Sequence, residues 1–191
     1  ALGFVTWLNY RNPHTSPFQE MQKWKTHPEI AKILKGGKRV SYGARAINDG
    51  GWQSVPKLSF PGGALIGCSA GFVNVPRIKG SHTAMKTGML AAEAAFAAVQ
   101  AGRSNDELTA YQAAYDTSWV EAELRGVRNV LPLMEKYGDL AGSMLAGITM
   151  WAEYLKIRMP FTMKHHADHQ SLYRADLMTP PVYPTPDGVR T

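Results

Sequence analysis

A glycine-rich stretch in the middle of the sequence carries the residue types most able to do chemistry. It runs from Gly67 to Lys86 and reads GCSAGFVNVPRIKGSHTAMK. The apolar run over 64–68 predicts a buried parallel strand whose C-terminal end meets a ligand. Gly67 and Gly71 would let the backbone approach a diphosphate or a ribityl chain without interference from Cβ atoms. An ordinary glycine-rich turn before an ordinary helix is the alternative interpretation.

The helix expected after this loop spans about His82 to Ala101 and ends at Gly102. Small and apolar residues recur along it at helical spacing, so it could pack closely on a sheet. Its N-terminus, near Ser81 to Thr83, would offer free N–H groups and the positive end of the helix dipole. Such an end stabilises a nearby anion by roughly 0.3 to 1 kcal/mol.

Several elements are expected before the glycine-rich stretch. Residues 2–8 suit a strand, and the sequence up to residue 60 turns strand-like again after Lys38. Between them, Ser16-Pro17-Phe18-Gln19 and Thr26-His27-Pro28-Glu29 each predict a capped helix start, and Gly36-Gly37 predicts the end of the second helix. The candidate inward-facing residues of the strand-like part are Val40, Tyr42, Val55, Leu58 and Phe60.

The second half of the chain is predicted to be mainly helical. Ser104-Asn105-Asp106-Glu107 is a capping-box pattern that would open a helical stretch to about Val130. A later uncharged stretch over 140–152 places Leu140, Met144, Ile148 and Trp151 at spacings of four, four and three residues. It is too short to span a bilayer, which needs about 20 residues, but it could lie in the membrane interface. A buried core helix is the alternative. The last part, 167–191, is expected to be extended, with prolines at Pro180, Pro181, Pro184 and Pro186.

Composition narrows the choice of partners. The 191 residues carry a formal net charge of +6, which suits an anionic membrane surface or an acidic redox partner. The basic residues are dispersed and no nucleic-acid-binding motif is present, so nucleic acid is not expected as a partner. The single cysteine, Cys68, excludes an intrachain disulfide and a cysteine-held cluster within this chain, and it indicates a reducing compartment.

The remaining polar residues are not predicted to form a catalytic or metal site. No nucleophile, base and acid are arranged as in a catalytic triad, so no catalytic residue is assigned. His165, His166 and His169 lack the carboxylate spacing of a metal site and are interpreted as a solvated basic patch. Asp116, Glu121 and Glu123 are interpreted as an exposed helix face. The N-terminus begins in an apolar stretch without a signal-peptide pattern and is expected to be a cut through a strand.

Three stretches of the chain resemble one family. GCSAGFVNVPRIKGSHTAMKTGMLAAE, at Gly67 to Glu93, resembles the second flavin-binding motif of the electron transfer flavoprotein:ubiquinone oxidoreductase family. NPHTSPFQEMQKWKTHP, at Asn12 to Pro28, and GGKRVSYGARAINDGGWQSVPKLSFPGG, at Gly36 to Gly63, resemble the same family. A looser likeness continues almost to the end, so it covers nearly the whole chain.

The resemblance implies a function and its cofactors. Enzymes of this family are monomers on the inner membrane of mitochondria, facing the matrix, or of bacteria, facing the cytoplasm. They pass electrons from reduced electron transfer flavoprotein, through FAD and a 4Fe–4S cluster, to ubiquinone. It also implies that the apolar stretch over 140–152 inserts shallowly into the membrane, so that Leu140, Met144, Ile148 and Trp151 contact lipid.

The resemblance further implies which residues bind FAD. Gly67, Cys68, Ser69 and Gly71 would line its diphosphate and ribityl chain. Asn74, Gly80, His82 and Thr83 would lie near the flavin ring, where the helix N-terminus would face the reduced isoalloxazine anion. Related flavoproteins place an aspartate where this chain has Cys68, so Cys68 is expected to be a packing residue or a weak polar contact.

The implied fold class is α/β, or mixed α+β: a fragment of a glutathione-reductase-like FAD domain. Residues 1–60 would belong to the ubiquinone-binding domain and 61–102 to the FAD domain. Residues 103–166 would form membrane-facing helices, and 167–191 a tail leading to an absent iron–sulfur domain. No Gly-x-Gly-x-x-Gly motif and no cysteine quartet is present, so the adenosine site and the cluster ligands would lie outside this chain. A non-catalytic docking module and a flavin enzyme of the geranylgeranyl reductase type are the alternatives.

Overall fold

The computed structural model describes residues 2–185. The chain divides into two compact units. One comprises Ala1–Ala44 with His166–Thr191, and the other is Arg45–His165. Helices joined by irregular segments, with one small sheet, make a mixed architecture in the described part. The mixed fold class is therefore confirmed at this coarse level, and the four-part domain division stays a prediction.

The first unit contains the two helices predicted near the N-terminus. Helix α1 spans Pro17–Lys25, and the Ser16 hydroxyl caps it by accepting from the Gln19 N–H, as predicted. Helix α2 spans Pro28–Leu34 and is capped by the His27 ring. Thr26 does not start this helix, contrary to the prediction, because its hydroxyl already donates to the Lys23 carbonyl at the end of α1. The expected helix end at the Gly36 pair is confirmed.

The tail packs on the N-terminal part within the same unit. The Asn12 side chain donates to the Thr179 carbonyl over 3.0 Å, and the Tyr183 hydroxyl accepts from the Ser16 N–H and donates to Glu20 over 3.0 Å each. Two short 3₁₀ turns, Asp168–Ser171 and Ala175–Leu177, interrupt an otherwise irregular path. Residues 178–185 contain no helix and no strand, so an extended tail stays a prediction, and Pro186 lies outside the described residues.

Two predicted strand regions are wrong. Residues 2–8 and 38–58 contain no strand, because within the described residues no neighbouring segment pairs with their backbone. Val40 is 97% exposed and Tyr42 86% exposed, so neither points into a core. Leu58 is fully buried, as predicted, whereas Phe60 is half-exposed.

The sheet of the second unit has two short antiparallel strands. Strand β1, Ser59–Phe60, pairs with β2, Gly63–Ala64, so that Ser59 lies opposite Ala64. The predicted parallel strand over 64–68 is therefore wrong. Gly67 has a φ of +58°, which ends the extended chain, and Gly67–Ala70 forms a 3₁₀ turn.

Three helices pack around this turn. Helix α3 spans Ser81–Gln100, as predicted; α4 spans Thr109–Asp116 and α5 spans Trp119–Gly126. The largest fully buried side chains shared by these elements are Leu58, Phe72, Tyr111, Val120 and Leu124. Ser104 does not cap a helix, contrary to the prediction, because the Glu107 carboxylate that would complete the box pairs with Lys57 instead.

Helix α6, Val130–Tyr154, consists of two arms that meet at Gly138. Gly138 has φ 76° and ψ 178°, which no helix contains, so the chain reverses there. A Cβ at Gly142 would lie 2.6 Å from the Met134 Cα, which shows that the second arm packs directly on the backbone of the first. Val130, Leu133 and Ala146 form the small core between the arms. Among residues 2–185, no helix combines the length and the apolar composition that crossing a membrane requires.

Candidate loop–helix site

The N-terminus of α3 has no side-chain cap. Gly80 occupies the N-cap position, and the first helical bond runs from the Ala84 N–H to the Gly80 carbonyl over 2.9 Å. The N–H groups of the three residues before Ala84 point along the helix axis, toward where an acceptor would lie. This end of α3 is therefore suited to an anionic or carbonyl-rich ligand.

Two buried threonines on α3 hold the glycine-rich loop against the helix. The Thr83 hydroxyl lies 2.5 Å from the Phe72 carbonyl and 2.8 Å from that of Gly80. The Thr87 hydroxyl accepts from the Gly67 N–H over 3.2 Å. Both threonines are fully buried. The loop position thus depends on hydroxyls one helical turn apart on the same face of α3.

Backbone conformation and close neighbours within the chain explain why glycine occupies positions 67 and 71 of the loop. A Cβ at Gly67 would lie 3.2 Å from the Ala84 Cβ, so this glycine permits the close approach of loop and helix. Gly71 has a φ of +82° and would place a Cβ 3.0 Å from the Asn48 side chain. Between them, Cys68 is a partly buried free thiol and Ser69 is exposed. The predicted approach of these residues to a ligand remains a prediction.

Asn74 and His82 meet at a carboxylate from another helix. The Asn74 amide donates to Glu123 Oε1 over 2.6 Å, and His82 Nε2 lies 2.9 Å from the same oxygen. Asn74 is fully buried, whereas the side chains of His82 and Glu123 are 29% and 23% exposed. The His82 ring also stacks on Trp119, with 5.6 Å between ring centroids. The structure therefore brings two of the predicted binding residues together.

The interpretation of Glu121 and Glu123 as an exposed helix face is wrong. Glu123 holds Asn74 and His82, and Glu121 accepts a hydrogen bond from the Trp52 indole over 2.9 Å. Burial alone would raise the pKa of Glu123, but hydrogen bonds from Asn74 and His82 and the positive charge of Arg77 outweigh it, and the pKa is lowered. No local pattern in the sequence indicated this role, because the partners of Glu123 lie 49 and 41 positions away along the chain.

The residues present fit one end of FAD. An uncapped helix N-terminus follows a glycine loop with positive φ at Gly67 and Gly71, and such a backbone can approach and bind an anionic group such as a diphosphate. Asn74 Oδ1 is buried and has no hydrogen-bond partner within the described chain. Its orientation is fixed, because only the amide nitrogen can donate to Glu123. No Gly-x-Gly-x-x-Gly motif is present for the adenosine end.

The second arm of α6 exposes a continuous apolar face. The exposed fractions of Leu140, Met144, Ile148 and Trp151 are 81%, 67%, 62% and 68%. A buried core helix is therefore excluded for this face within the described chain. Tyr154 lies edge-on to Trp151 at 5.8 Å, and the exposed basic residues Lys156 and Arg158 follow. An apolar face that ends in aromatic and basic residues is typical of helices that lie in a membrane interface.

One of the three C-terminal histidines does not belong to a solvated patch. His165 Nδ1 lies 3.6 Å from a Glu135 carboxylate oxygen, and both side chains are 18% exposed. His165 Nε2 is buried and has no hydrogen-bond partner among the described residues. His166 and His169 are exposed, as interpreted. Over the described residues, no group of three or more histidine, cysteine or acidic side chains could hold a metal ion.

Comparison with known proteins supplies relatives of this chain. A family model described as "ETF-QO, ubiquinone-binding" matches residues 1–47. The mitochondrial electron transfer flavoprotein-ubiquinone oxidoreductase of Rattus norvegicus is 50% identical and covers 98% of this chain. Those of Arabidopsis thaliana and Homo sapiens are 52% and 49% identical and cover 99% and 98% of it.

The chain spans only part of these relatives: 31% of the rat and human proteins and 29% of the Arabidopsis protein. The similarity nevertheless includes all three stretches on which the resemblance rested, because the aligned share of the chain is almost complete. The family resemblance is therefore confirmed: over nearly its whole length, this chain is similar to slightly less than one third of an electron transfer flavoprotein-ubiquinone oxidoreductase.

Proposed function

We propose that this chain is part of an enzyme that transfers electrons from reduced electron transfer flavoprotein to ubiquinone through FAD. The observation that carries the proposal is the identity of about half of all residues with proteins of that name, over 98% or more of the chain. The match of residues 1–47 to a ubiquinone-binding family supports a quinone as the acceptor.

The loop and the N-terminus of α3 are the proposed FAD site. Gly67, Cys68, Ser69 and Gly71 would line the diphosphate and ribityl chain, and Asn74, Gly80, His82 and Thr83 would lie near the flavin ring. When bound, FAD supplies the two-electron chemistry, for which this chain has no side-chain substitute. The chain itself binds and orients: α3 directs its N–H groups and dipole toward negative charge, and Thr83 and Thr87 keep the loop in place.

The apolar face of α6 is the proposed membrane contact. Leu140, Met144, Ile148 and Trp151 would enter the interface, and Lys156, Arg158 and Lys164 would meet anionic headgroups. Full burial of each large apolar side chain would contribute about 1.5 to 3 kcal/mol. A membrane position suits ubiquinone, which is dissolved in the bilayer. The relatives are mitochondrial proteins, which supports the mitochondrial inner membrane as the location.

The iron–sulfur cluster that the resemblance implies would need ligands from elsewhere. Cys68 is the only cysteine in the chain, and a 4Fe–4S cluster takes four thiolates. The proposal therefore assigns no cluster ligand here. The proposed enzyme is a monomer, and it binds electron transfer flavoprotein through its own surface.

An absorbance spectrum and a quinone-reduction assay test this function. The full-length protein that contains this chain should purify with a flavin spectrum and should reduce a short-chain ubiquinone when reduced electron transfer flavoprotein is supplied. A colourless protein that binds no added FAD would contradict the proposal. The 191-residue chain, titrated with FAD, would then show whether the loop and α3 hold the flavin without the adenosine-binding motif.

A further inference from the structure

Glu123 joins the glycine-rich loop to the start of α3 from a third element, α5. One carboxylate oxygen accepts from the buried Asn74 amide over 2.6 Å and lies 2.9 Å from His82 Nε2. Asn74 is 49 positions from Glu123 in the chain, and His82 is 41 positions from it. No other described side chain is shown to contact both ends of the 74–82 segment.

The contact with Asn74 fixes the loop. The Asn74 N–H donates to the Lys79 carbonyl over 2.8 Å, and the Lys79 N–H returns a bond to Asn74 over 3.3 Å, so these two residues close the turn between them. Since the Asn74 side chain is fully buried, its amide has no water to replace a lost carboxylate. Glu123 therefore determines where the base of the turn lies relative to α5.

The contact with His82 fixes the orientation of the ring and its tautomer. A carboxylate only accepts, so His82 Nε2 must carry the hydrogen that it donates to Glu123. Stacking on Trp119, with an angle of 16° between the rings, removes the remaining rotational freedom. Nδ1 is then the ring nitrogen available to a ligand at the N-terminus of α3.

We infer that Glu123 is a positioning residue for the flavin: it holds His82 and the loop at Asn74 in the arrangement in which they meet the FAD ring. This inference rests on the proposed function, because the flavin is its ligand. Glu123 does not itself touch the cofactor in this arrangement; it acts through Asn74 and His82. Its negative charge also lies within hydrogen-bond distance of a ring that would adjoin the flavin.

The test compares Glu123→Gln with Glu121→Gln in the full-length protein purified with FAD. Both changes remove one charge from α5, but Glu121 bonds Trp52 and does not contact the loop. Glu123→Gln is expected to weaken FAD binding about ten-fold, as for loss of a hydrogen bond to a charged group. It should also shift the flavin midpoint potential to more positive values, because a nearby negative charge is lost. Glu121→Gln should change neither quantity.

A double variant separates positioning from general destabilisation. In a His82→Gln background, Glu123→Gln should shift the potential much less than it does alone, because the group it acts through is gone. Equal potentials and FAD affinities for Glu123→Gln and Glu121→Gln would overturn the inference. A wild-type protein without flavin would overturn the proposed function instead. If Glu123→Gln does not fold, His82→Gln alone must change the potential, and a value equal to that of the wild type would overturn the inference.

Discussion

The hydroxyl of Thr83, in the first turn of α3, lies 2.5 Å from the carbonyl oxygen of Phe72, in the glycine-rich loop. Both residues are fully buried, so this bond is shielded from water. The bond connects the turn that follows Gly67 with the helix end that would face a flavin. A residue expected to contact the cofactor is therefore also part of the structure that shapes the site.

Removal of this hydroxyl should destabilise the protein. Thr83→Ala leaves the buried Phe72 carbonyl without a donor, which costs about 1 to 3 kcal/mol. Thr83→Ser keeps the hydroxyl and should retain most of the stability. Urea unfolding followed by tryptophan fluorescence measures the difference, and the flavin potential of the Thr83→Ala protein should change too, because the loop at Phe72 is released. Equal unfolding midpoints for the two variants would contradict the role of the bond.

Arg128 should be the most sensitive basic residue of the second unit. It is buried, and its guanidinium donates to the Thr162 hydroxyl and to the carbonyls of Met159 and Phe161, over 2.6 to 3.1 Å. Arg128→Met leaves several buried acceptors unpaired and should lower the free energy of unfolding by about 3 kcal/mol or more. Arg125→Met, at a side chain that is 53% exposed, is the control and should change it by less than about 1 kcal/mol. Chemical denaturation of the wild type and both variants measures the two changes in the free energy of unfolding, and equal changes would contradict the role of Arg128.

Two glycines on the second arm of α6 should respond to alanine in opposite ways. A Cβ at Gly142 would lie 2.6 Å from the Met134 Cα, so Gly142→Ala should push the arms apart and cost about 1 to 3 kcal/mol. Gly147 has no atom within 4 Å of such a Cβ, so Gly147→Ala should stabilise the helix by roughly 0.5 to 1 kcal/mol. In thermal unfolding, the melting temperature of Gly142→Ala should be lower than that of the wild type, and that of Gly147→Ala should be higher. A melting temperature of Gly142→Ala equal to or above that of the wild type would contradict the packing of the arms.

Local signals predicted the helices well. Ser16 with Pro17 located the start of α1, Gly36 the end of α2, and the small-residue pattern the full length of α3. Each of these depends on residues within a few positions, so a sequence pattern is sufficient. The 140–152 stretch was likewise predicted as a helix, but its spacing left a buried and an interfacial position open, and only the family resemblance favoured the exposed one. The reversal at Gly138 was not predicted.

The predictions were wrong where contacts between residues far apart in the sequence determine the structure. The 64–68 run has the composition of a buried strand, but Ala64 pairs antiparallel with Ser59 and the φ of Gly67 ends the pairing. Glu123 has the spacing of a surface residue, but contacts with Asn74 and His82, which are 49 and 41 positions away, leave its side chain only 23% exposed. The candidate site was thus predicted for the loop and α3, but not for the helix that supports them.

Acid should expose the contribution of Glu123 to stability. Its pKa is lower in the folded chain than in the unfolded one, so its stabilisation is fully present above the unfolded pKa of about 4.3 and is lost as the pH falls through the lower folded value. The wild type should therefore be more stable than Glu123→Gln at pH 7, and the difference should shrink below about pH 4. Unfolding free energies of both proteins across pH 3 to 7 measure this difference. A constant difference would show that the carboxylate charge is not responsible.

Charge on the apolar face of α6 should release the protein from membranes. Ile148 is 62% exposed, so Ile148→Asp disturbs no core. The change replaces an apolar contact with lipid by a carboxylate, which costs about 2.5 to 3.5 kcal/mol at a bilayer centre and less toward the interface. Ile33→Asp is the matched control, since Ile33 is also an exposed helical isoleucine, at 77%, but lies between Glu29 and Lys35 on α2. Flotation with vesicles that contain anionic phospholipid should recover the wild type and Ile33→Asp in the lipid fraction and leave Ile148→Asp at the bottom. Co-flotation of Ile148→Asp would mean that another part of the protein, and not this face, binds the membrane.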